Sequence, residues 1–91
     1  MGAISLHALE RTVRGFANHR RIEILMLLKK YPELSVVEIA EKLKINFKTA
    51  SQHVQRLAVA GMVLKRNQGA AVRHKLTVRS ENVLKFLRTI E

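Results

Sequence analysis

Residues 46–61, NFKTASQHVQRLAVAG, combine hydrogen-bonding side chains with the period of an α-helix. Four apolar or small residues recur at spacings of 4, 3 and 4 and share one helical face: Ala50, Val54, Leu57 and Gly61. The polar side chains lie on the other faces, without a single acid among them: Lys48, Thr49, Ser51, Gln52, Gln55 and Arg56. Gln and Arg can read base edges, whereas Lys and hydroxyl groups bind phosphates. The pattern fits either a helix that enters the major groove of a duplex or an ordinary amphipathic helix with a solvated polar face.

Both ends of this helix carry the residues that helix termini require. Asn46 is a good N-cap that can accept hydrogen bonds from the backbone of the next residues, and Gly61 is typical of the position just after a helix. Phe47 has two interpretations, contact with a thymine methyl group or burial in the core. We expect Gln52 and Arg56 to read bases, since each side chain can make bidentate contacts.

Positive charge is concentrated in the same part of the chain. The formal net charge at pH 7 is +10, and residues 46–79 contain seven Lys or Arg and no acid. Residues 1–45 carry a net charge of only +3, and residues 80–91 are neutral. This asymmetry favours a polyanionic partner such as nucleic acid. The alternative is a ribosomal protein or a merely soluble basic surface.

The composition excludes several classes of protein. A chain of 91 residues with 47% hydrophobic residues predicts one folded domain, residues 1–91. The chain contains no Cys, no Asp and no Gly-rich phosphate loop, so we expect no enzyme. No apolar run is long enough for a membrane span, and the N-terminus lacks a signal-peptide pattern. We therefore expect a cytoplasmic protein, associated with the nucleoid when bound to DNA.

Two helices are predicted before the reading segment, followed by a third that leads into it. The first covers residues 4–16, and the second covers residues 19–30 behind the cap Asn18. The stripe expected to be buried on the second helix is Ile22, Leu25, Met26 and Leu28. Ser35 and Glu38 form a capping-box pattern that opens a short helix ending at Leu43. Its inward residues are expected to be Val37, Ile39, Ala40 and Leu43. A tight turn at residues 44–45 joins this third helix to the reading helix, and the two form a helix-turn-helix.

After Gly61 the hydrophobic period changes from that of a helix to that of a strand. Residues 62–66 and 72–77 alternate around a turn at residues 67–70, which predicts a β-hairpin. Its polar side chains are expected at DNA phosphates or in the minor groove: Lys65, Arg66, Gln68, Arg73 and Lys75. Ser80 is expected to cap a last helix. The order ααααββα predicts a mainly α fold, a winged helix-turn-helix.

The first predicted helix is fairly apolar for the end of a chain. Such a helix either covers the domain's own core or meets a second copy of the chain, and we favour the second copy. The predicted dimerisation segment is residues 1–17. The apolar residues expected at that interface are Ile4, Leu6, Leu9 and Val13.

The chain resembles the ArsR-type family of small winged-helix transcriptional regulators. Residues 16–30, FANHRRIEILMLLKK, are similar to that family's opening segment, and residues 34–63 are similar to its helix-turn-helix. The most specific part is Ser51-x-His53 followed by Leu57-x-x-Ala60-Gly61. The resemblance implies a homodimer whose first and last helices pair, with reading helices in successive major grooves and wings on the flanking backbone. It therefore makes residues 80–91 a second expected dimerisation segment, with Val83, Phe86, Leu87 and Ile90 at the interface. By the same resemblance, His53 is interpreted as a structural or backbone contact.

Two departures from this family bear on metal binding. Its soft-metal sensors have C-x-C where this chain has Ser35-Val36-Val37, and other members bind zinc through Asp, His and Glu on the last helix. Residues 80–91 contain neither His nor Asp, and the four His residues are scattered singly. We therefore expect no metal site and no cofactor.

The sequence is interpreted as a sequence-specific, double-stranded-DNA-binding transcriptional regulator, a homodimer that represses by blocking polymerase. No small-molecule effector can be assigned from these residues. The alternatives are a winged helix used for protein–protein contact and an architectural nucleic-acid-binding protein. Domains that read left-handed or double-stranded nucleic acid by shape carry Tyr in the reading helix and Pro in the wing. Here Tyr31 and Pro32 lie elsewhere, which disfavours that class.

Overall fold

The computed structural model describes residues 4–91, in which five helices and one β-hairpin follow in the predicted order. The helices are α1 (Leu6–Phe16), α2 (His19–Lys30), α3 (Val36–Leu43), α4 (Phe47–Val59) and α5 (Val78–Thr89). The strands are β1 (Val63–Gln68) and β2 (Ala71–Leu76), which pair antiparallel. The mainly α, winged helix-turn-helix fold is therefore confirmed. Residues 1–3 of the first predicted dimerisation segment lie outside the described residues.

Each helix begins at a residue whose side chain accepts hydrogen bonds from the free amides of the first turn. The caps predicted at Asn18, Ser35 and Asn46 are confirmed, and Ser35 forms a full capping box with Glu38. The cap predicted at Ser80 is wrong, because Thr77 caps α5 and Ser80 is the third helical residue of a second capping box. A β-region backbone at Thr77, directly after β2, starts the helix three residues earlier than the sequence suggested.

One hydrophobic core lies between α2, α3, α4 and the base of the hairpin. Ala50, Val54 and Leu57 of α4 are buried there, as predicted from their spacing. The other buried hydrophobic residues are Phe16, Ile24, Leu25, Leu28, Leu34, Ile39, Ala40, Ala60, Met62 and Val63. Full burial of a Val or Leu side chain is worth about 1.5–3 kcal/mol, so this face of α4 anchors the helix firmly.

Two residues predicted to face the core are exposed. Met26 is 59% exposed, because the core face of α2 is formed by Ile24, Leu25 and Leu28, and Met26 lies about 150° round the helix from the centre of that face. Val37 is 52% exposed for a similar reason, since α3 turns Ile39 and its neighbour Ala40 into the core. The sequence predicted both helices correctly, but the residues that it assigned to the buried face of each helix were partly wrong.

The C-terminal end of α1 packs closely against the C-terminal end of α4. Phe16 is buried, and Gly15 lies so close to Ala60 that a Cβ atom on Gly15 would be 2.3 Å from the Ala60 Cβ. The absence of a side chain at Gly15 therefore permits the two helices to touch. Gly61 ends the contact region with φ +74°, which confirms it as the residue after the helix.

The hairpin is longer and its loop shorter than predicted. Strand pairing extends to Gln68 and Ala71, so that only Gly69 and Ala70 form the loop, and Gly69 has φ +60°. His74 is buried, and its backbone pairs with Leu34, which fastens β2 to the segment before α3. The wing is thus attached to the helix-turn-helix by main-chain hydrogen bonds as well as by side chains.

Candidate nucleic-acid interface

The polar residues of α4 lie on the outside of the molecule. With its small and branched face in the core, the helix leaves these side chains exposed: Asn46, Lys48, Thr49, Gln52, Gln55 and Arg56. Ser51 is half-buried at the flank. The side-chain oxygen of Asn46 accepts from the amides of Lys48 and Thr49 at 2.7 and 3.3 Å, which fixes the start of the helix. No acid lies within α4, so the exposed face is cationic.

Phe47 is not part of the core. Its side chain is 55% exposed, which removes one of the two interpretations of this residue. It lies at the edge of a shallow apolar cleft that also includes Val37 and Ile45. An exposed aromatic ring at the first turn of α4 leaves contact with a thymine methyl group as the remaining interpretation.

The exposed second half of α4 borders an open groove. Gln52, Gln55 and Arg56 form one wall, and α1 forms the other wall around a volume of about 880 Å³. We call this the α1–α4 groove. Arg11 and Arg14 contribute from α1, and Arg79 contributes from α5. The two residues expected to read bases, Gln52 and Arg56, therefore share a surface with arginines that the sequence had placed in another element.

His53 is held by an arginine from α2. Arg21 Nη1 lies 3.3 Å from His53 Nδ1, and because a guanidinium can only donate, Nδ1 accepts and the ring proton is on Nε2. Arg21 also donates through Nη2 to the carbonyl oxygen of Arg14 at 3.1 Å. Burial lowers the pKa of His53, and the positive charges of Arg21 and Arg56 lower it further. His53 is thus a neutral structural contact that ties α4 to the N-terminus of α2.

Arg21 is in an environment that is short of negative charge. Burial and the charge of Arg56 lower its pKa, and its Nε is buried with no hydrogen-bond partner among the described residues. These observations indicate an uncompensated positive field where α1, α2 and α4 meet.

Two of the wing arginines are engaged by acids of the segment before α3 and of α3 itself. Arg66 makes a bidentate pair with Glu33, with both N–O distances at 2.9 Å. Arg73 Nη1 donates to Glu38 at 2.7 Å. The hydrogen bonds from Arg66 lower the pKa of Glu33, while those from Ser35 chiefly lower the pKa of Glu38. The two pairs brace the wing against the helix-turn-helix.

The remaining wing residues are not engaged in this way. Lys65 and Lys75 are exposed and make no ion pair within the part of the chain that the structure describes, residues 4–91. Gln68 is exposed at the end of β1, next to the loop. These three side chains extend the cationic and polar surface along the hairpin.

The residues predicted for dimerisation fall into two groups. Six are exposed: Ile4 just before α1, Leu6, Leu9 and Val13 on α1, Phe86 on α5 and Ile90 just after α5. Val83 and Leu87 are half-buried and pack against the chain's own core. Helix α5 therefore contributes to the core through one side and leaves the other side available.

Neither a metal-binding cluster nor a membrane-spanning helix occurs in the described part of the chain. Within residues 4–91, no three His or Glu side chains converge in a way that could hold a metal ion. Among the same residues, none of the helices combines the length and the apolar composition needed to cross a membrane.

Comparison with known proteins agrees with this geometry. A model of the bacterial regulatory proteins of the arsR family matches residues 18–65, more than half of the chain. The chain belongs to the ArsR family. The members of this family are transcriptional regulators and not enzymes. No curated protein sequence matches the chain.

Solved structures of ArsR-type and related regulators superpose closely. The homodimeric winged helix-turn-helix DNA-binding domain of Mb0332 from Mycobacterium bovis has a TM-score of 0.85 and 27% identity, over 99% of this chain and 89% of that one. HlyU from Vibrio cholerae has a TM-score of 0.79 and 27% identity, over 92% and 91%. The transcriptional repressor PagR of Bacillus anthracis, at 24% identity over 90% and 94%, shares the fold with a TM-score of 0.79.

Sequence reasoning missed the groups that surround α4 and the wing. Glu33, Glu38 and Arg21 reach their partners across 32 to 35 residues of chain, so no local spacing connects them. The only sequence signal was the ArsR resemblance around Arg21 and His53, which placed both residues in matching motifs without pairing them. Arg11 carried no signal, and Arg79 counted only towards the positive charge of residues 46–79.

Proposed function

We propose that this ArsR-family chain is a sequence-specific regulator that binds double-stranded DNA as a homodimer. The observation that carries the proposal is α4, whose branched face is buried while its acid-free polar face is exposed beside a cationic hairpin. A helix fixed in this manner suits the major groove. We propose a cytoplasmic location, with association to the nucleoid through DNA.

The proposed contacts divide between the helix and the wing. Lys48, Thr49 and Ser51 hold phosphates at the start of α4, and Gln52 in the middle of the helix and Arg56 in its last turn read bases. Lys65 and Lys75 bind flanking phosphates, and they add affinity more than sequence preference. Arg66 and Arg73 bind phosphates as well when DNA displaces Glu33 and Glu38, the acids with which they pair.

The homodimer is proposed from the exposed apolar stripe of the terminal helices. Leu6 is 77% exposed and Leu9 is 52% exposed on α1, and Phe86 is 57% exposed on α5. Such a stripe is costly in water unless a partner covers it. A relative of similar fold, Mb0332, is described as homodimeric. A dimer bound over a promoter would block polymerase, and we therefore propose repression.

A salt titration tests DNA binding directly. The logarithm of the affinity should fall linearly with the logarithm of salt concentration, with a slope of about −0.9 for each phosphate neutralised. Several phosphate contacts from α4 and the wing predict a slope of about −4 or steeper. A wild-type protein that binds no duplex at low salt would favour protein–protein contact as the role of this winged helix.

Substitutions separate base readout from phosphate binding. Arg56→Ala should relax the preference at one base position and cost about 1–3 kcal/mol on the preferred site. Lys65→Glu with Lys75→Glu should weaken binding to all duplexes alike. If Arg56→Ala also weakens all duplexes alike, Arg56 binds a phosphate and the readout must be reassigned.

A further inference from the structure

The α1–α4 groove opens beside the close contact of the two helices. Gly15 and Ala60 are in contact at the C-terminal ends of the helices, and the lining residues extend from there to Ala8 on α1 and Gln52 on α4. The result is an open groove of about 880 Å³ that is continuous with the exposed face of α4.

The groove is lined by four arginines and no acid within the described residues 4–91: Arg11, Arg14, Arg56 and Arg79. Arg79 is held in place, since its Nη1 donates to the carbonyl oxygen of Ala60 at 3.0 Å. The nearest countercharge on α1 is Glu10, which pairs with Arg14 at 3.3 Å across a largely exposed contact and therefore neutralises little. Two amides, Gln52 and Gln55, complete the polar wall.

The electrostatics of the neighbouring groups agree with an unneutralised groove. Burial is the main cause that lowers the pKa values of Arg21 and His53, and the positive charge of Arg56 lowers both further, although neither residue lines the groove. A cluster of guanidinium groups without acids is suited to bind phosphate, because phosphate oxygens accept pairs of N–H hydrogen bonds from arginine.

A second copy of the chain is not expected to fill the groove. On a helical wheel of about 100° per residue, Arg11 and Gly15 lie nearly opposite Leu6 and Val13. The apolar stripe that a partner would cover is thus on the far side of α1 from Arg11, and Arg14 lies on the flank between them, about 80–100° from Leu6 and Val13. Dimerisation through that stripe leaves the groove open.

We infer that the α1 wall of the α1–α4 groove binds backbone phosphates of the duplex through Arg11 and Arg14, which makes α1 a third DNA contact beside α4 and the wing. The inference rests on the proposed function. When the bases of a strand contact Gln52 and Arg56, the phosphates of that strand lie beside α4. Arg11 and Arg14, on the opposite wall of the groove, then face these phosphates. A free phosphorylated compound would use the same chemistry, and the experiment distinguishes the two sources.

The test compares two variants of equal charge in a salt titration with a duplex that the wild type binds. Arg11→Gln with Arg14→Gln removes two charges from the groove, and Lys85→Gln with Arg88→Gln removes two from exposed positions on α5. The groove variant should flatten the slope of log affinity against log salt by about 1.8, and the α5 variant should leave it within about 0.3 of wild type. Circular dichroism and sedimentation of both variants confirm fold and assembly.

Three results would count against parts of the proposal. Equal slopes for the groove variant and the wild type would refute the α1 contact and leave the proposed function intact, whereas a wild type that binds no duplex would refute the proposed function itself.

Chemical shifts of the Arg11 and Arg14 Nε–H groups provide the second readout. They should move on addition of duplex but not with inorganic phosphate at matched ionic strength. Saturable shifts with phosphate alone would instead assign the groove to a small phosphorylated ligand.

Discussion

Replacement of Gly15 by Ala tests the contact that places α1 beside α4. The added Cβ would lie 2.3 Å from the Cβ of Ala60, whereas carbon atoms in contact are separated by about 3.5–4 Å. The helices must therefore move apart by more than about 1 Å. Overpacking of a tight contact costs about 1–3 kcal/mol, and an overlap between two backbone-attached carbons should lie at the upper end.

Helix propensity opposes this cost. Ala is more favourable than Gly within a helix by about 1 kcal/mol, so the expected net loss in the free energy of unfolding is about 2 kcal/mol. For a chain of this size that corresponds to a fall in Tm of roughly 10 °C. Urea unfolding and thermal melts at one fixed protein concentration measure both quantities, because a dimer's stability depends on concentration.

The matched control removes the other atom of the overlap. Ala60→Gly in the Gly15→Ala background should restore part of the loss, with a coupling energy of more than about 1 kcal/mol in the double-mutant cycle. A Gly15→Ala variant that is as stable as the wild type, or more stable, would refute the close crossing of α1 and α4. The α1–α4 groove would then lose its structural basis.

Three further predictions concern buried and paired polar groups. Ser80→Ala should lower the free energy of unfolding by about 1–2 kcal/mol in urea unfolding, because Ser80 is fully buried and completes the capping box with Thr77; no loss would mean that Thr77 alone caps α5. The pKa of His53 in the folded protein lies below the unfolded value of about 6.5, so the free energy of unfolding of the wild type should fall as pH decreases below about 6.5. His53→Gln should make this fall less steep. Parallel curves of the free energy of unfolding against pH for the two proteins would contradict the burial of a neutral ring. Glu33→Gln should tighten DNA binding and steepen its salt dependence by releasing Arg66, whereas weaker binding would show that Glu33 orients Arg66 for the duplex.

Much of the fold could be predicted because its determinants are local. The spacing of Ala50, Val54 and Leu57, the caps at Asn18, Ser35 and Asn46, and the change of period after Gly61 each depend on a few neighbouring residues. The rotation of α2 and α3 could not be predicted with the same accuracy. Met26 and Ile24 are both apolar, and the packing of α2 against α4, β2 and α5 decides which of them is buried.

The site was predictable in part for the same reason. The exposed polar face of α4 follows from its buried face, and the positions of Gln52 and Arg56 follow with it. The wing pairs depend instead on how the hairpin packs, and this brings Glu33 to Arg66 across 33 residues. The α1–α4 groove depends on the crossing at Gly15, which sequence periodicity does not reveal. Non-local electrostatics therefore had to come from the three-dimensional structure.

Selection of bound duplexes from a random pool, with the stoichiometry of the complex measured alongside, tests the central claim most directly. Two α4 helices in successive major grooves predict a two-fold symmetric consensus with half-sites about one helical turn apart, bound by two chains. Enrichment of no sequence, or of an asymmetric site bound by a single chain, would contradict the account of a dimeric regulator that reads DNA through α4.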